Sequence, residues 1–188
     1  AMYKTMTMSC LLCLGFFAPV EAARPLADRS LAKGVMQRAW AEAEAPAMPG
    51  LEQRWPGAFP VFRLFAAKGD IDLVVLSGSS ARTLALGPGH LPASALPGEP
   101  GNTVITGRRD TYFRFLADLE VDDSIVIETL AGRKHLYSIV DIDIVDARRS
   151  RVVLDTPEPM LSLVTAYPFD PAEPGGKFRY VVTARRLF

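Results

Sequence analysis

Three stretches hold most of the side chains that could do chemistry. They are LSLVTAYPFD from Leu161 to Asp170, GNTVITGRRDTYF from Gly101 to Phe113, and PGGKFRYVV from Pro174 to Val182. The first starts as an apolar, β-branched strand, Leu161 to Thr165, and stops at a Tyr-Pro pair, because proline cannot donate to a sheet. Ala166 therefore stands at the lip of a sheet, a common place for active-site groups. Nucleophiles are scarce. Thr165 adjoins Ala166 but faces the other way, as strand neighbours do, and its hydroxyl needs an activating base that is not apparent. Ser162 has the same difficulty and lies further back. Cys10 and Cys13 have C-x-x-C spacing, but they fall in an N-terminal apolar run with no second pair, so neither a redox nor a metal role is expected. The globular part then has no thiol. His90, in the GPGH stretch, is expected to pack or hydrogen-bond rather than act as a base, and nothing draws His135 to the lip. Asp141 and Asp143 alternate with Val140, Ile142 and Ile144, which predicts a buried apolar face and a wet acidic face on one strand rather than a metal site. No metal and no cofactor is expected.

The elements that must position these residues read mainly as β. A chain of 188 residues suggests one domain with a sizeable core, and its 21 basic and 21 acidic residues balance, so no global field points to nucleic acid. Short β-like runs are expected at Val61–Phe65, Ile71–Leu76, Thr83–Leu86, Thr103–Thr106, Ser124–Thr129, Leu136–Val145, Leu161–Thr165 and Phe178–Thr183. Gly and Pro turns separate most of them, which predicts an all-β barrel or sandwich. Ahead of the strands, Ser30 to Ala45 has helical periodicity, with Leu31, Val35 and Ala39 at four-residue spacing beside Met36, Trp40 and Ala43. Ser30 can cap its start and Pro46 closes its end. Ala47–Pro60 reads as a linker or wrapping loop. Lys4, the apolar run Met6–Val20 and the small-residue site at Val20–Ala22 have the layout of a secretory signal. That run is short for a membrane span, which needs roughly 20 residues. The expected organisation is 1–23 signal sequence or membrane anchor, 24–60 helix and linker, and 61–188 barrel.

Together the three stretches resemble the sortases, most closely the Gram-negative branch called class GN. In that family the strand reads T-C-Y-P-F-D, with cysteine as nucleophile, and the earlier segment reads G-H-R-D-T. This chain has Ala166 at the cysteine position and Arg108 at the histidine position, while Arg179 matches the family's arginine. The resemblance implies an eight-stranded barrel with an N-terminal helix and a short helical turn. It also implies a substrate groove near Thr106, Thr165, Asp110 and Tyr167. Sortase chemistry is acyl transfer. A thiolate attacks a backbone carbonyl in a sorting signal, and an amine resolves the thioester. Arginine cannot take over the imidazole's proton transfer near neutrality, since its pKa lies above about 12.

The resemblance thus implies a pseudo-sortase that binds a sorting-signal-like peptide without turning it over. The alternatives are an active class GN transpeptidase captured as an active-site knockout, an enzyme with an unidentified nucleophile, and a structural exported β-domain. The implied partners are a sorting-signal-bearing exported protein or peptide and, through the N-terminal segment, a membrane; nucleic acid is not among them. The implied location is the periplasmic face of an inner membrane, or the periplasm itself after cleavage. If the family geometry holds, Arg108 and Arg179 lie close together and repel. They then either accept an anion in two-pronged fashion or pair with local aspartates such as Asp110 and Asp170.

Overall fold

The computed structural model describes residues 34–43, 58–170 and 176–188. The expected leader (1–23), the start and end of the expected helix, and most of the linker lie outside the described residues. Eight strands follow: β1 (Pro60–Ala66), β2 (Ile71–Ser77), β3 (Gly89–His90), β4 (Gly101–Thr106), β5 (Ser124–Thr129), β6 (Lys134–Asp146), β7 (Pro159–Ala166) and β8 (Phe178–Arg186). They close a barrel in the order β1-β2-β3-β4-β7-β8-β6-β5. The β2–β3 and β4–β7 pairs are parallel and the remaining pairs antiparallel. This is the all-β barrel expected from the sequence.

Period-two alternation fills the interior. Phe62, Leu64 and Ala66 of β1, Ile125 and Ile127 of β5, and Leu161 and Leu163 of β7 point inward, with Phe113 and Leu116 of the β4–β5 connection closing the core. Helix α1 (34–43) lies against the barrel through Met36 and Trp40, which pack with Ala58, Val74 and Leu76. Its buried stripe is Met36, Ala39 and Trp40, and Val35 is exposed. Of the expected line, Ala39 docks and Val35 does not, because the bulky Met and Trp set the face that covers most apolar area; Leu31 lies outside the described residues.

Two local expectations are corrected. Residues Thr83–Leu86 are not a strand but lie in a one-and-a-half-turn helix, α2 (Ala81–Leu86). The Ser80 hydroxyl accepts a bond from the Thr83 amide at 3.1 Å, so a serine cap and good helix formers override the alternation of Thr and Leu with smaller residues. The eighth strand is instead Gly89–His90. Gly89 fits there because a β-carbon would meet the Gly78 carbonyl oxygen at 2.0 Å. The second correction concerns β6. Val140 and Ile144 are exposed and Ile142 is half-buried, whereas His135, Tyr137 and Ile139 of the same strand are buried. The register slips between Ile139 and Asp141, so the inward phase passes from His135, Tyr137 and Ile139 to Ile142, which pairs with Val182 and packs on the core. Asp141 and Asp143 take the outer face opposite Thr183 and Val181 as expected; only the burial of Val140 and Ile144 fails.

Candidate active site

β7 and β8 run antiparallel with Ser162 opposite Thr183, Val164 opposite Val181 and Ala166 opposite Arg179. Because side chains alternate, these six share one face, while Leu161, Leu163 and Thr165 turn into the core with Val182 and Ala184. The face ends at Ala166 and Arg179. There a cavity of about 500 Å³ is bounded by Thr106, Gly107, Arg108, Arg109 and Asp110 from the β4 end, Val164–Ala166 from β7, Arg179 from β8, Leu84 of α2 and Ser79 just before that helix. Six of the seven residues singled out in the sequence meet around it. Tyr167 does not line it, and stacks on Tyr180 at 6.3 Å with Phe169 edge-on to both.

A second cavity of about 370 Å³ shares Val164 and Arg179 with the first. It extends along the same face over Ser162, Val181 and Thr183, with Asp141 and Asp143 of β6 and Arg151–Val153 of the β6–β7 connection as walls. Both cavities thus lie along one outward strip of the sheet.

The turn that carries Arg108 is fastened to β7 from both sides. The Gly107 amide donates to the Val164 carbonyl at 3.2 Å, and the buried Thr165 hydroxyl donates to the Gly107 carbonyl at 2.8 Å. Beneath the turn sits the fully buried Phe113. A β-carbon on Gly107 would lie 2.5 Å from the Phe113 ring, so only glycine lets the chain pass this close. The Phe113 amide closes the turn onto the Arg108 carbonyl at 2.9 Å. On the far side, the Arg109 guanidinium donates to the Pro168 carbonyl and that of Arg114 to the Phe169 carbonyl, the latter at 3.2 Å, tying down the segment after β7.

Charge is arranged locally. The Arg108 guanidinium donates to both Asp110 carboxylate oxygens, Nε to Oδ1 at 3.2 Å and Nη2 to Oδ2 at 2.8 Å. Hydrogen bonding to Arg108 holds the Asp110 carboxyl below its ordinary range, and the same bond makes Arg108 harder to deprotonate. Of the two expectations for Arg108, pairing with a local aspartate is the one found. Arg179 turns its Nη1 to the carbonyls of Gly176 at 2.9 Å and Phe178 at 2.8 Å. Among the other groups considered, the Thr106 hydroxyl is turned to the Gly89 carbonyl at 3.3 Å. His90 is buried against Phe62, with its Nε2 within reach of the Ser94 hydroxyl at 3.1 Å and the Ala95 carbonyl at 3.2 Å. Burial pushes its imidazole below the usual range. Ser162 is buried and accepts a bond from Asn102 at 3.0 Å.

Sequence reasoning did not find Ser79, Leu84, Arg109 or the Arg151–Val153 wall. Ser162, Val164 and Ala166 alternate with core leucines, and that alternation was the available signal for the strip. Nothing local in the sequence marks residues 151–153.

The family model of the sortase domain matches residues 66–187, and the chain belongs to the sortase family. It is 33% identical to Sortase D of Bacillus subtilis (strain 168) over 121 residues, covering 64% of this chain and 60% of that protein. The chain thus spans about 60% of the length of that curated relative. Among solved structures, it resembles a Clostridium perfringens Sortase D5 transpeptidase with a TM-score of 0.68 at 24% identity, over 85% of this chain and 99% of that one. Sortase A from Corynebacterium diphtheriae superposes with a TM-score of 0.64 at 22% identity, over 87% of this chain and 86% of that one.

Proposed function

We propose that this chain is a pseudo-sortase: a sortase barrel, resembling class GN in its motifs, that binds a sorting-signal-like peptide along the β7–β8 strip and does not perform acyl transfer. The observation that carries this reading is the group at the end of β7. It is the methyl of Ala166, directly across from Arg179, where a sortase needs its thiolate. No residue beside it is ready to take over. The Thr165 hydroxyl is buried and engaged by Gly107, Ser162 is buried beside Asn102, and Arg108 is gripped by Asp110. His90 is enclosed by its own partners, and the described residues contain no cysteine. The two joined cavities offer a peptide an apolar floor at Val164 and Val181 and a cation at Arg179.

In this reading residues 1–23 act as a signal or anchor, residues 24–60 connect it to the barrel, and the barrel works on the periplasmic face of an inner membrane. Protease protection in intact and osmotically shocked cells tests that placement. Function is tested by offering the purified chain a library of sorting-signal-like peptides with an amine acceptor. Binding by fluorescence anisotropy with no gain in intact mass is expected, and Arg179→Ala should weaken it at least tenfold. A covalent peptide adduct on the unaltered chain refutes the reading. The double substitution Ala166→Cys with Arg108→His separates this reading from its main alternative, an active enzyme captured as a knockout. Revived cleavage would favour the knockout, whereas a groove that has drifted stays silent. A chain that binds no peptide at all is a structural β-domain.

A further inference from the structure

The far pole of the barrel holds a second chemically equipped cavity. Arg179 and Arg186 mark opposite ends of β8, seven residues apart, or about 23 Å along a strand. At the Arg186 end, a cavity of about 400 Å³ is lined by Val61, Phe62, Leu96, Leu130 and Ala131 on its apolar side, and by Arg133, His135 and Arg186 on its polar side. His135 is only 8% exposed, and among the described residues neither of its ring nitrogens has a hydrogen-bond partner. The Arg186 Nε is likewise buried and unpartnered, although its Nη1 donates to the Gly98 carbonyl at 3.1 Å. Leaving buried donors unmatched is costly, and such groups point to a partner that completes the site.

The charge next to the ring is positive. Burial, then the charges of Arg186 and Arg133, hold the His135 imidazole below its ordinary range. Glu99 is the acidic residue of the lining; it is exposed, and among the described residues it makes no ion pair. Backbone packing keeps the ring where it is. The Gly98 φ is +85°, and a β-carbon there would meet the His135 Cε1 at 2.3 Å, so the Gly98 loop lies flat on the imidazole. The Gly98 amide in turn donates to the Tyr137 hydroxyl at 3.0 Å. Two guanidinium groups and an imidazole with free nitrogens, set against an apolar wall, match an anion with a hydrocarbon body.

We propose that this pole binds an organic carboxylate with an apolar body, its carboxylate held by His135, Arg186 and Arg133 and its hydrocarbon part against Phe62, Leu96 and Leu130. This site is separate from the β7–β8 strip and stands or falls independently of the proposed peptide binding.

The chain contains two histidines, so ring resonances give an internal control. The full chain is titrated with phenylacetate, with its methyl ester and with inorganic phosphate, while the His135 and His90 ring signals are followed by NMR. Phenylacetate should shift the His135 signals saturably, raise the pH at which that ring titrates, and leave His90 unmoved. The ester should produce no saturable shift, and phosphate should bind at least tenfold more weakly. Arg186→Met should weaken phenylacetate at least tenfold, and the exposed Arg133→Ala about threefold, with dispersed spectra showing that both variants remain folded. Equal binding of the ester reduces the site to an apolar hole and overturns the proposal. Equal binding of phosphate overturns the role of the apolar wall. A His135 signal that does not move with phenylacetate overturns the whole.

Discussion

Replacing Thr165 with valine removes one hydroxyl and little else. The two side chains have nearly the same shape, so no cavity opens and the strand keeps a β-branched residue that suits it. What disappears is the 2.8 Å bond to the Gly107 carbonyl, in a place where both partners are shielded from water. A buried acceptor left without its donor costs about 1–3 kcal/mol. For a domain of this size each kcal/mol corresponds to about 2–4 °C, so thermal unfolding should occur roughly 2–12 °C earlier. The loss should also be local. The remaining fastening of the Gly107 turn is its own amide to the Val164 carbonyl, and the Phe113 amide closes the same turn. Native-state hydrogen exchange should therefore accelerate most at Gly107 and Phe113, and no more than the global loss requires at Ile125 and Ile127 on the far side of the barrel. If Thr165→Val unfolds within about 0.3 kcal/mol of the parent, the bond contributes nothing net. If exchange accelerates uniformly, Thr165 supports the barrel as a whole rather than clasping the Arg108 turn, and the positional argument fails.

Further outcomes are expected. Gly107→Ala forces a methyl into the Phe113 ring and should cost about 1–3 kcal/mol in chemical denaturation, the usual penalty for overpacking. In a carboxyl-detected NMR titration, Asp110 should ionise below the ordinary carboxylate range, and Arg108→Ala should move it back up. Because the folded value is depressed, the pair's small stabilisation is complete above the unfolded Asp value and is lost as pH falls through the folded one. His90 is also shifted downward, but as a base. Its neutral form is favoured by folding, so stability is full above about 6.5 and declines as pH drops below that toward the folded value, and His90→Gln should flatten that part of a pH–stability curve. Ala166→Cys should react with a small methanethiosulfonate without denaturant, since residue 166 borders an open cavity; a thiol reactive only after unfolding contradicts that geometry.

The strands were legible because they alternate and their turns are rich in Gly and Pro, and seven of the eight expected runs are strands; the choice of barrel over sandwich came from the resemblance to the sortases. Thr83–Leu86 misled because four residues alternating Thr, Leu, Ala and Leu fit a strand, while the Ser80 cap that decides for helix sits three residues earlier. The bulge at Val140 left no trace in composition; the alternation of Asp with apolar residues gave the phase of β6 after it, but not the exposure of Val140 and Ile144. At the candidate site, the Tyr-Pro stop marked the end of β7 as a local signal, whereas the grouping of the β4 and β7 ends with the arginine of β8 came from the resemblance to the sortases, and the structure brings these residues around one cavity. The inward turn of Thr165 followed from the same two-residue period. Its bond to Gly107 did not, since 58 residues separate the partners. The same is true of His135 and Arg186, whose meeting depends on how β6 and β8 pair.

Ring closure leaves the described strands without a long free margin onto which a visiting chain could be stitched as an extra ribbon. In the proposed peptide binding, a guest would be read by side chains and loops lying above the pleat, among them Arg151, Val152 and Val153 of the connection after β6, which wall the second cavity. Preference for one guest over another can then change through substitutions in the Ala147–Glu158 loop while the hydrogen-bonded frame stays as it is. Grafting that loop between relatives is therefore a direct way to transfer selectivity without rebuilding the scaffold.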